Sequence, residues 1–481
     1  MSLGFLIVRK PFYFIDMILQ KPALYTDLYE LTMAQGYFLS GRHEQPANFD
    51  YFFRSLPFDG GYVVFAGLGD LLKIIQNFRF HSDELDYLRT QGFKEEFLTF
   101  LDNFKFTGSI YSVKEGEIVF PNEPILRVEG TVLETQILET LVLNTLNFSS
   151  LIATKASRIK QAAGDHSVVD FGLRRAQGLG GLQASKSAII GGFQGTSNVL
   201  AGKLDDIPIN GTMAHSWVQS FDDELTAFRT YAEHYPDASI LLVDTYSTLK
   251  QGVPNAIRVA KELEEKGHKL IGIRLDSGDL AYFARKSREM LDDAGLDYVK
   301  IAASNQLDEY LIKSLQEQGA PIDLFGVGTK LVTAYDDPAL DGVYKLSSIN
   351  GKPTLKISEN EEKVTLPGAK KVLRYFNTDG SFYSDGVALD NEDNPDSIYH
   401  PYISHRSTVV SKLKCEELLQ KVIDKGKINI SIPTIQESAK YAQERLSKLN
   451  SEHKRFDNPH VYKVGLSKKL RELKIELIQK A

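Results

Sequence analysis

Along the middle of the chain, short apolar runs alternate with longer stretches whose apolar residues recur every three or four positions. Val168-Val169-Asp170-Phe171, Ile240-Leu241-Leu242-Val243, Leu270-Ile271-Gly272-Ile273 and Ile322-Asp323-Leu324-Phe325 are short and almost uniformly apolar. Strands buried on both faces of a parallel sheet look like this. Val299-Lys300-Ile301-Ala302 is a weaker fifth. The spacing predicts helices over 255–266, 280–294 and 306–318, each followed by a glycine (Gly267, Gly295, Gly319) where a left-handed residue would end it. Strand-helix alternation of this kind predicts a right-handed parallel α/β array, closed or open, over about 151–340.

The flanks read differently. A helix is predicted from Leu28, Leu31, Met33 and Gln35, opening near Thr26-Asp27 as a cap. From Phe106 to Gly130 a short alternating pattern, broken at Glu115-Gly116-Glu117 and Pro121-Asn122-Glu123-Pro124, predicts a small β unit. One long helix is predicted from Leu133 to about Ile159. After Gly342 the pattern returns to strands at 343–346 and 353–357, then a loop-rich span over 376–404 and a charged helical tail from Ile435, for instance over 466–480. The expected organisation is an extension over 1–22, an α+β domain over 23–150, the α/β core over 151–340, and a C-terminal region over 341–481 that completes the α+β domain.

Composition narrows the function classes. Lys plus Arg number 56 against 63 Asp plus Glu, a net charge of -7, which disfavours a general nucleic-acid binder while leaving room for a local basic pocket. The single cysteine, Cys415, excludes a disulfide framework and a cysteine zinc cluster. No run of 18 apolar residues is present, and a soluble protein of a reducing, cytoplasmic compartment is expected.

Polar residues collect where the predicted parallel strands end: Asp170 to Arg175, Asp244 to Thr248, Arg274 to Asp279, Ser304-Asn305, and Gly326-Val327-Gly328-Thr329. Sites in parallel α/β folds lie outside the carboxyl ends of the strands. Glycines crowd the stretch from Gly178 to Gly195-Thr196-Ser197, and with Gly326 to Thr329 they offer backbone N–H groups to phosphate oxygens. Neither GxxxxGK[ST] nor GxGxxG occurs. Arg174, Arg175 and Arg274 suit phosphate or carboxylate, with surface ion pairs as the plainer alternative, strongest for Arg175. Asp244, Asp276 and Asp279 could hold ribose hydroxyls or Mg²⁺, or simply cap helices, a reading strongest for Asp279. His215, in Gly211-Thr212-Met213-Ala214-His215-Ser216-Trp217, stands in a setting unlike the other histidines; on spacing alone it is catalytic or structural. Trp217, by residue type, is core or a ring-stacking platform.

Four of these stretches, Tyr25-Thr26-Asp27-Leu28-Tyr29-Glu30-Leu31-Thr32-Met33, Asp170-Phe171-Gly172-Leu173-Arg174-Arg175-Ala176-Gln177-Gly178, Gly211-Thr212-Met213-Ala214-His215-Ser216 and Arg274-Leu275-Asp276-Ser277-Gly278-Asp279, resemble the nicotinate phosphoribosyltransferase family in order and wording. The resemblance runs from about Leu24 into the tail; the first 20 or so residues fall outside it, and Met17 is a candidate start. It implies an irregular (β/α) barrel of the type II phosphoribosyltransferases with a second α+β domain built from both chain ends. It implies conversion of nicotinate and 5-phosphoribosyl 1-pyrophosphate to nicotinate mononucleotide and pyrophosphate, with coupled ATP hydrolysis, in NAD salvage; stabilising the departing pyrophosphate calls for Mg²⁺ as cofactor. Tyr29, Thr212 and Arg274 match nicotinate contacts, Thr329 a phosphoribosyl-diphosphate contact, and His215 the histidine phosphorylated by ATP. Arg174 and Asp276 match residues near the ring or phosphoribosyl group. Asp244 and Gly328 complete the expected substrate-binding set, and Asp276 and Asp279 are the candidate metal ligands. Ser197 stands where amide-using relatives carry an aspartate. A homodimer sharing its active sites is also implied. An amide-using or quinolinate-using transferase, or a catalytically silent nucleotide-binding barrel, are the competing readings.

Overall fold

The computed structural model describes residues 21–360, 363–403 and 405–480, so the expected N-terminal extension lies almost wholly outside the described residues. The chain divides into two compact units: Ile152–Pro338, and a unit made from the segments up to Leu151 and from Ala339 onward.

Ile152–Pro338 holds six strands: β1 Ser167–Asp170, β2 Gly195–Thr196, β3 Ile240–Leu242, β4 Gly272–Leu275, β5 Lys300–Ser304 and β6 Leu324–Val327. All pair in parallel in the order β2-β1-β6-β5-β4-β3. The parallel α/β class is the one expected, and among the described residues the hydrogen-bonded order ends at β2 and β3. β4, β5 and β6 start one or two residues later than the apolar runs that announce them. Leu270, Val299 and Ile322 are nonetheless buried, because apolarity reports burial and not membership of the ladder. β2 has two residues, one of them glycine, and leaves no run to detect.

The expected glycine stops are real. Val253–Glu265, Leu280–Asp293 and Glu309–Glu317 are helices. Gly267, Gly295 and Gly319 follow with φ of +81°, +67° and +64°. In each, the glycine N–H and the next residue's N–H double back onto the last turn: Gly267 to the Glu264 carbonyl (3.0 Å) and His268 to that of Leu263 (2.9 Å). This satisfies carbonyls that the helix leaves open.

The other unit draws on both chain segments. In its seven-stranded antiparallel sheet, Pro46–Phe53 lies between Gly342–Ile349 and Leu126–Thr131. A six-stranded sheet comes from the C-terminal segment, with Lys370–Phe376 and Phe382–Leu389 at its heart. The span 376–404 is therefore not all loop: Phe382–Leu389 and Ser397–Tyr399 are strands. Buried Ser384, Asp385 and Gly386 hide the first of these from an apolar-pattern reading. Residues 354–357 are not a strand; only Lys352–Pro353 pairs. The single long helix expected from Leu133 is two, Val132–Gln136 and Glu139–Ala163. The first is started by Thr131 and Glu134, whose side chains cap each other's backbone N–H. The most apolar window of this region is 72% buried, as befits a core helix. In the tail, helices Ile435–Lys448 and Lys468–Lys480 flank a short strand, Val464–Leu466.

A candidate active site at the strand ends

The carboxyl ends of five of the six parallel strands, β1, β2, β4, β5 and β6, border one cleft. Arg174, Ser197, Thr212, Arg274, Asp276, Gly328 and Thr329 line it, together with Arg175 and Asn305. Most of the site residues expected in this unit thus line it, but His215, Asp244 and Asp279 do not.

The cleft floor hangs from Asp170, the buried last residue of β1. Its Oδ1 accepts the Gly172 N–H (2.7 Å), while Oδ2 accepts the hydroxyls of Ser185 (2.8 Å) and Thr196 (2.7 Å). Burial raises its pKa, and these three donors oppose the shift. Asn198 extends the network, donating to the Gly181 carbonyl (3.3 Å) and Ser185 Oγ (3.2 Å). The turn bearing Arg174 and the turn bearing Ser197 are thereby tied to one carboxylate. Gly326 must be glycine for space: a Cβ there would stand 2.4 Å from the Phe171 ring.

Asp276 follows β4 and is held on two sides. Its N–H donates to Asp244 Oδ2 (2.8 Å), which also accepts the Ser277 hydroxyl (2.7 Å), and the Ser304 hydroxyl donates to Asp276 Oδ1. Asp276 Oδ2 is left facing His215 Nε2 at 3.8 Å, beyond hydrogen-bond reach. His215 opens a short helix, and its Nδ1 lies 3.2 Å from the Thr245 hydroxyl. Asp244 Oδ1 is buried with no hydrogen-bond partner.

Arg274, on β4, donates from Nη1 to Thr212 Oγ1 and, at 3.4 Å, to the Met213 carbonyl. Its Nη2 is 3.8 Å from Asp276 Oδ1, and its Nε is buried without a partner. Burial lowers its pKa, against the opposing pull of Asp276 and Asp244. The guanidinium is a partly uncompensated cation with donors to spare. Arg174 and Arg175 are exposed.

Asp279 does not join this group. Its carboxylate caps the helix Leu280–Asp293 by accepting the Tyr282 N–H at 3.0 Å, so the capping alternative is the one realised. Among the described residues, no group of three His, Cys, Asp or Glu side chains could enclose a metal. Tyr29 belongs to the other unit, on helix Leu28–Leu39, with 44% of its surface exposed. Asp27 occupies that helix's N-cap position, but its side chain makes no cap bond; it accepts the Thr140 hydroxyl instead (3.1 Å). Trp217 is partly buried, its indole N–H donating to the Ala227 carbonyl (3.1 Å), a structural use.

Sequence reading left Ser304, Thr245, Ser185 and Asn198 without roles. The first two lie in strand-end clusters, and that position was their only signal. Asn305 and Gln306, at the cleft edge, have φ of +89° and +50°, a conformation side-chain-bearing residues rarely adopt and to which Asn is better suited than Gln.

Three family models match the chain: the nicotinate phosphoribosyltransferase N-terminal domain over residues 24–147, the nicotinate phosphoribosyltransferase family over 166–379, and the nicotinate phosphoribosyltransferase C-terminal domain over 369–474. The nicotinate phosphoribosyltransferase of Bacillus subtilis (strain 168) is 47% identical over 457 residues, covering 92% of this chain and 93% of its own. That of Homo sapiens is 35% identical, covering 94% and 95%. The crystal structure of human nicotinic acid phosphoribosyltransferase superposes with a TM-score of 0.84 at 32% identity, covering 94% of this chain and 99% of that one. A nicotinate-nucleotide pyrophosphorylase from Pyrococcus furiosus gives 0.72 at 26% identity, covering 92% and 98%.

Proposed function

This chain belongs to the nicotinate phosphoribosyltransferase family, and we propose that its cleft joins nicotinate to 5-phosphoribosyl 1-pyrophosphate, giving nicotinate mononucleotide and pyrophosphate for NAD salvage. The observation that carries the reading is Arg274, a buried guanidinium with an unpartnered Nε, beside the Thr212 hydroxyl. A planar carboxylate such as that of nicotinate is the natural counterpart of such a fork. Ser197 supports the acid over the amide, since a hydroxyl can donate to a carboxylate where an aspartate would repel it.

In the reaction the pyridine nitrogen attacks C1 of the ribose as the bond to pyrophosphate breaks. Positive charge grows on the sugar and negative charge on the leaving group. Catalysis is therefore orientation plus electrostatics, with no general base required. Arg174 serves the anionic substrates, and Thr329, Gly328 and the turn they begin serve the phosphoribosyl diphosphate. Asp276 and Asp244 supply hard oxygen donors, one of them the unpartnered Asp244 Oδ1, that suit Mg²⁺ shared with substrate phosphates. When bound, that ion offsets charge on the departing pyrophosphate. Asp279 is spoken for as a cap.

ATP coupling is assigned to His215. His215 Nδ1 lies against the Thr245 hydroxyl and its side chain is 40% exposed; in the tautomer in which Nδ1 donates to Thr245, Nε2 carries the lone pair. Nε2 attacks the γ-phosphorus, the bond to ADP breaks, and water later takes the phosphoryl group from the histidine as phosphate. Tyr29 is assigned as a nicotinate contact, completed in a cytoplasmic homodimer by pairing of chains.

A product assay with nicotinate, nicotinamide or quinolinate, plus phosphoribosyl pyrophosphate and Mg²⁺, tests the substrate. Equal turnover of nicotinamide would defeat the acid preference, and Ser197→Asp should erode that preference. His215→Ala should abolish ATP hydrolysis and acid-labile labelling from γ-labelled ATP while slow ATP-independent synthesis persists. Label retained on the variant would move the carrier elsewhere. Mixing inactive Tyr29→Ala and Asp276→Ala chains should restore part of the activity if dimers share sites.

A further inference from the structure

β2 ends at Thr196, and Ser197 leaves the sheet to line the cleft. Backbone bonds hold the chain up to this point. The Thr196 N–H donates to the Pro208 carbonyl (3.0 Å), its carbonyl accepts the Asn210 N–H (2.9 Å), and the Ser197 N–H donates to the Asp170 carbonyl (2.8 Å). The peptide after Ser197 is held by a side chain instead. The Thr196 hydroxyl accepts the Asn198 N–H (3.0 Å), closing a ring across Ser197, and gives its own proton to Asp170 Oδ2 (2.7 Å).

None of these supporting groups meets the solvent. Thr196 and Asp170 are fully buried, and Asn198 is nearly so. Asn198 is fixed in its turn, its Oδ1 accepting the Ala201 N–H (3.3 Å) and its Nδ2 donating to Ser185 Oγ (3.2 Å). Ser197 between them is half-buried, and among the described residues its hydroxyl has no partner within the chain. A serine oxygen turns about a single torsion with three staggered wells. With the peptides before and after it fixed, Ser197 Oγ can rotate but cannot move away. Valine at 196 would keep the shape and supply neither bond, whereas serine would supply both.

We propose that Thr196 is a positioning residue for acid selection: by bridging Asp170 to the Asn198 N–H it sets where the Ser197 hydroxyl stands against the carboxylate of nicotinate. The proposal rests on the reading of Ser197 as the hydroxyl that favours the acid over the amide.

The test compares kcat/KM for nicotinate with KM for phosphoribosyl pyrophosphate in the full-length enzyme. Ser197→Ala should lower the first about tenfold, the worth of a hydrogen bond to a charged group near its lower end. Thr196→Val should lower it about fivefold, because misplacing the hydroxyl costs less than removing it. In the Ser197→Ala background Thr196→Val should add less than about twofold, and Thr196→Ser alone should stay within about twofold of wild type. KM for phosphoribosyl pyrophosphate should hold throughout. Effects of Thr196→Val that multiply with those of Ser197→Ala, an equal rise in KM for phosphoribosyl pyrophosphate, or a Thr196→Ser chain as poor as Thr196→Val would each overturn the positioning role while leaving Ser197 in place. An unchanged kcat/KM in Ser197→Ala would remove Ser197 as the acid contact, and the proposal with it. Should Thr196→Val fold poorly, Thr196→Cys, a weak donor and acceptor at the same point, makes the same comparison.

Discussion

Two arginines, Arg274 and Arg374, sit on strands in the two units and are indistinguishable by residue type. Arg374 is fully buried and fully answered. It is bidentate to Asp385 (Nε to Oδ1 2.9 Å, Nη2 to Oδ2 2.6 Å), donates to Glu117 Oε1 (2.5 Å) and to the Ile118 carbonyl (2.7 Å). Burial pulls its pKa down, but Asp385 and Glu117 more than offset that and hold it well above the ordinary value. For Arg274 burial wins and the shift is downward. The partners of each side chain tell the two apart: Arg374 meets acceptors at Nε, Nη1 and Nη2, whereas Arg274 Nε meets none. A guanidinium whose partners outweigh its desolvation is cement; one whose partners fall short, with a donor left over, is waiting for an anion.

Substitution can break that contrast. Arg374→Ala strands Asp385 and Glu117 in the core and should cost about 3–5 kcal/mol of stability in denaturant unfolding, with activity per folded molecule little changed. Arg274→Ala should do the reverse. Loss of about 100-fold in kcat/KM is expected, roughly 3 kcal/mol of transition-state stabilisation, with a melting temperature within about 3 °C of wild type. If Arg274→Ala instead unfolds the protein, the two arginines are alike and the distinction fails.

Glu30 sharpens the comparison from the side of the carboxylates. Burial raises it from the ordinary 4.5 to about 7, against the Thr140 hydrogen bonds that pull it down. The folded state therefore holds a proton that the unfolded state releases. The stability this confers is complete below pH 4.5 and is lost as pH rises through about 7. Glu30→Gln should flatten this dependence, gaining on wild type by about 2 kcal/mol between pH 5 and pH 8 in paired unfolding curves. A constant difference between the two proteins across that range would refute the buried titration. The smallest effect belongs to Asp279→Ala, about 1 kcal/mol of stability from a lost helix cap. The Mg²⁺ dependence of synthesis should be untouched, and a weakened one would return Asp279 to the metal.

Much of the Ile152–Pro338 unit was readable because its strands are short apolar runs, its helices are periodic and its stops are glycines. Each of those signals is local. The cleft could be read in outline for the same reason: Arg274 is the penultimate residue of a strand, Asp276 and Thr329 follow strands in sequence, and all three therefore meet at strand ends in space. What escaped was anything made by partners distant along the chain. Asp170 joins Ser185 to Thr196, Ser304 fixes Asp276, and Glu117 finds Arg374 some 257 positions away. No pattern along the chain records these pairings. Asp385 and Ser384 misled for the opposite reason, being polar residues buried in a strand because partners elsewhere satisfy them.

The seven-stranded sheet carries a consequence for synthesis on the ribosome. Pro46–Phe53 pairs on one side with Gly342–Ile349, so that edge stays open until roughly 300 further residues have been translated. At about 5–20 residues per second the wait is on the order of 15–60 s, during which an apolar strand presents unpaired backbone to solvent. The Ile152–Pro338 segment, contiguous along the chain, can meanwhile fold as it emerges. The nascent protein should thus hold a folded parallel α/β unit while its antiparallel sheet is still incomplete, with Pro46–Phe53 an unpaired edge in the meantime.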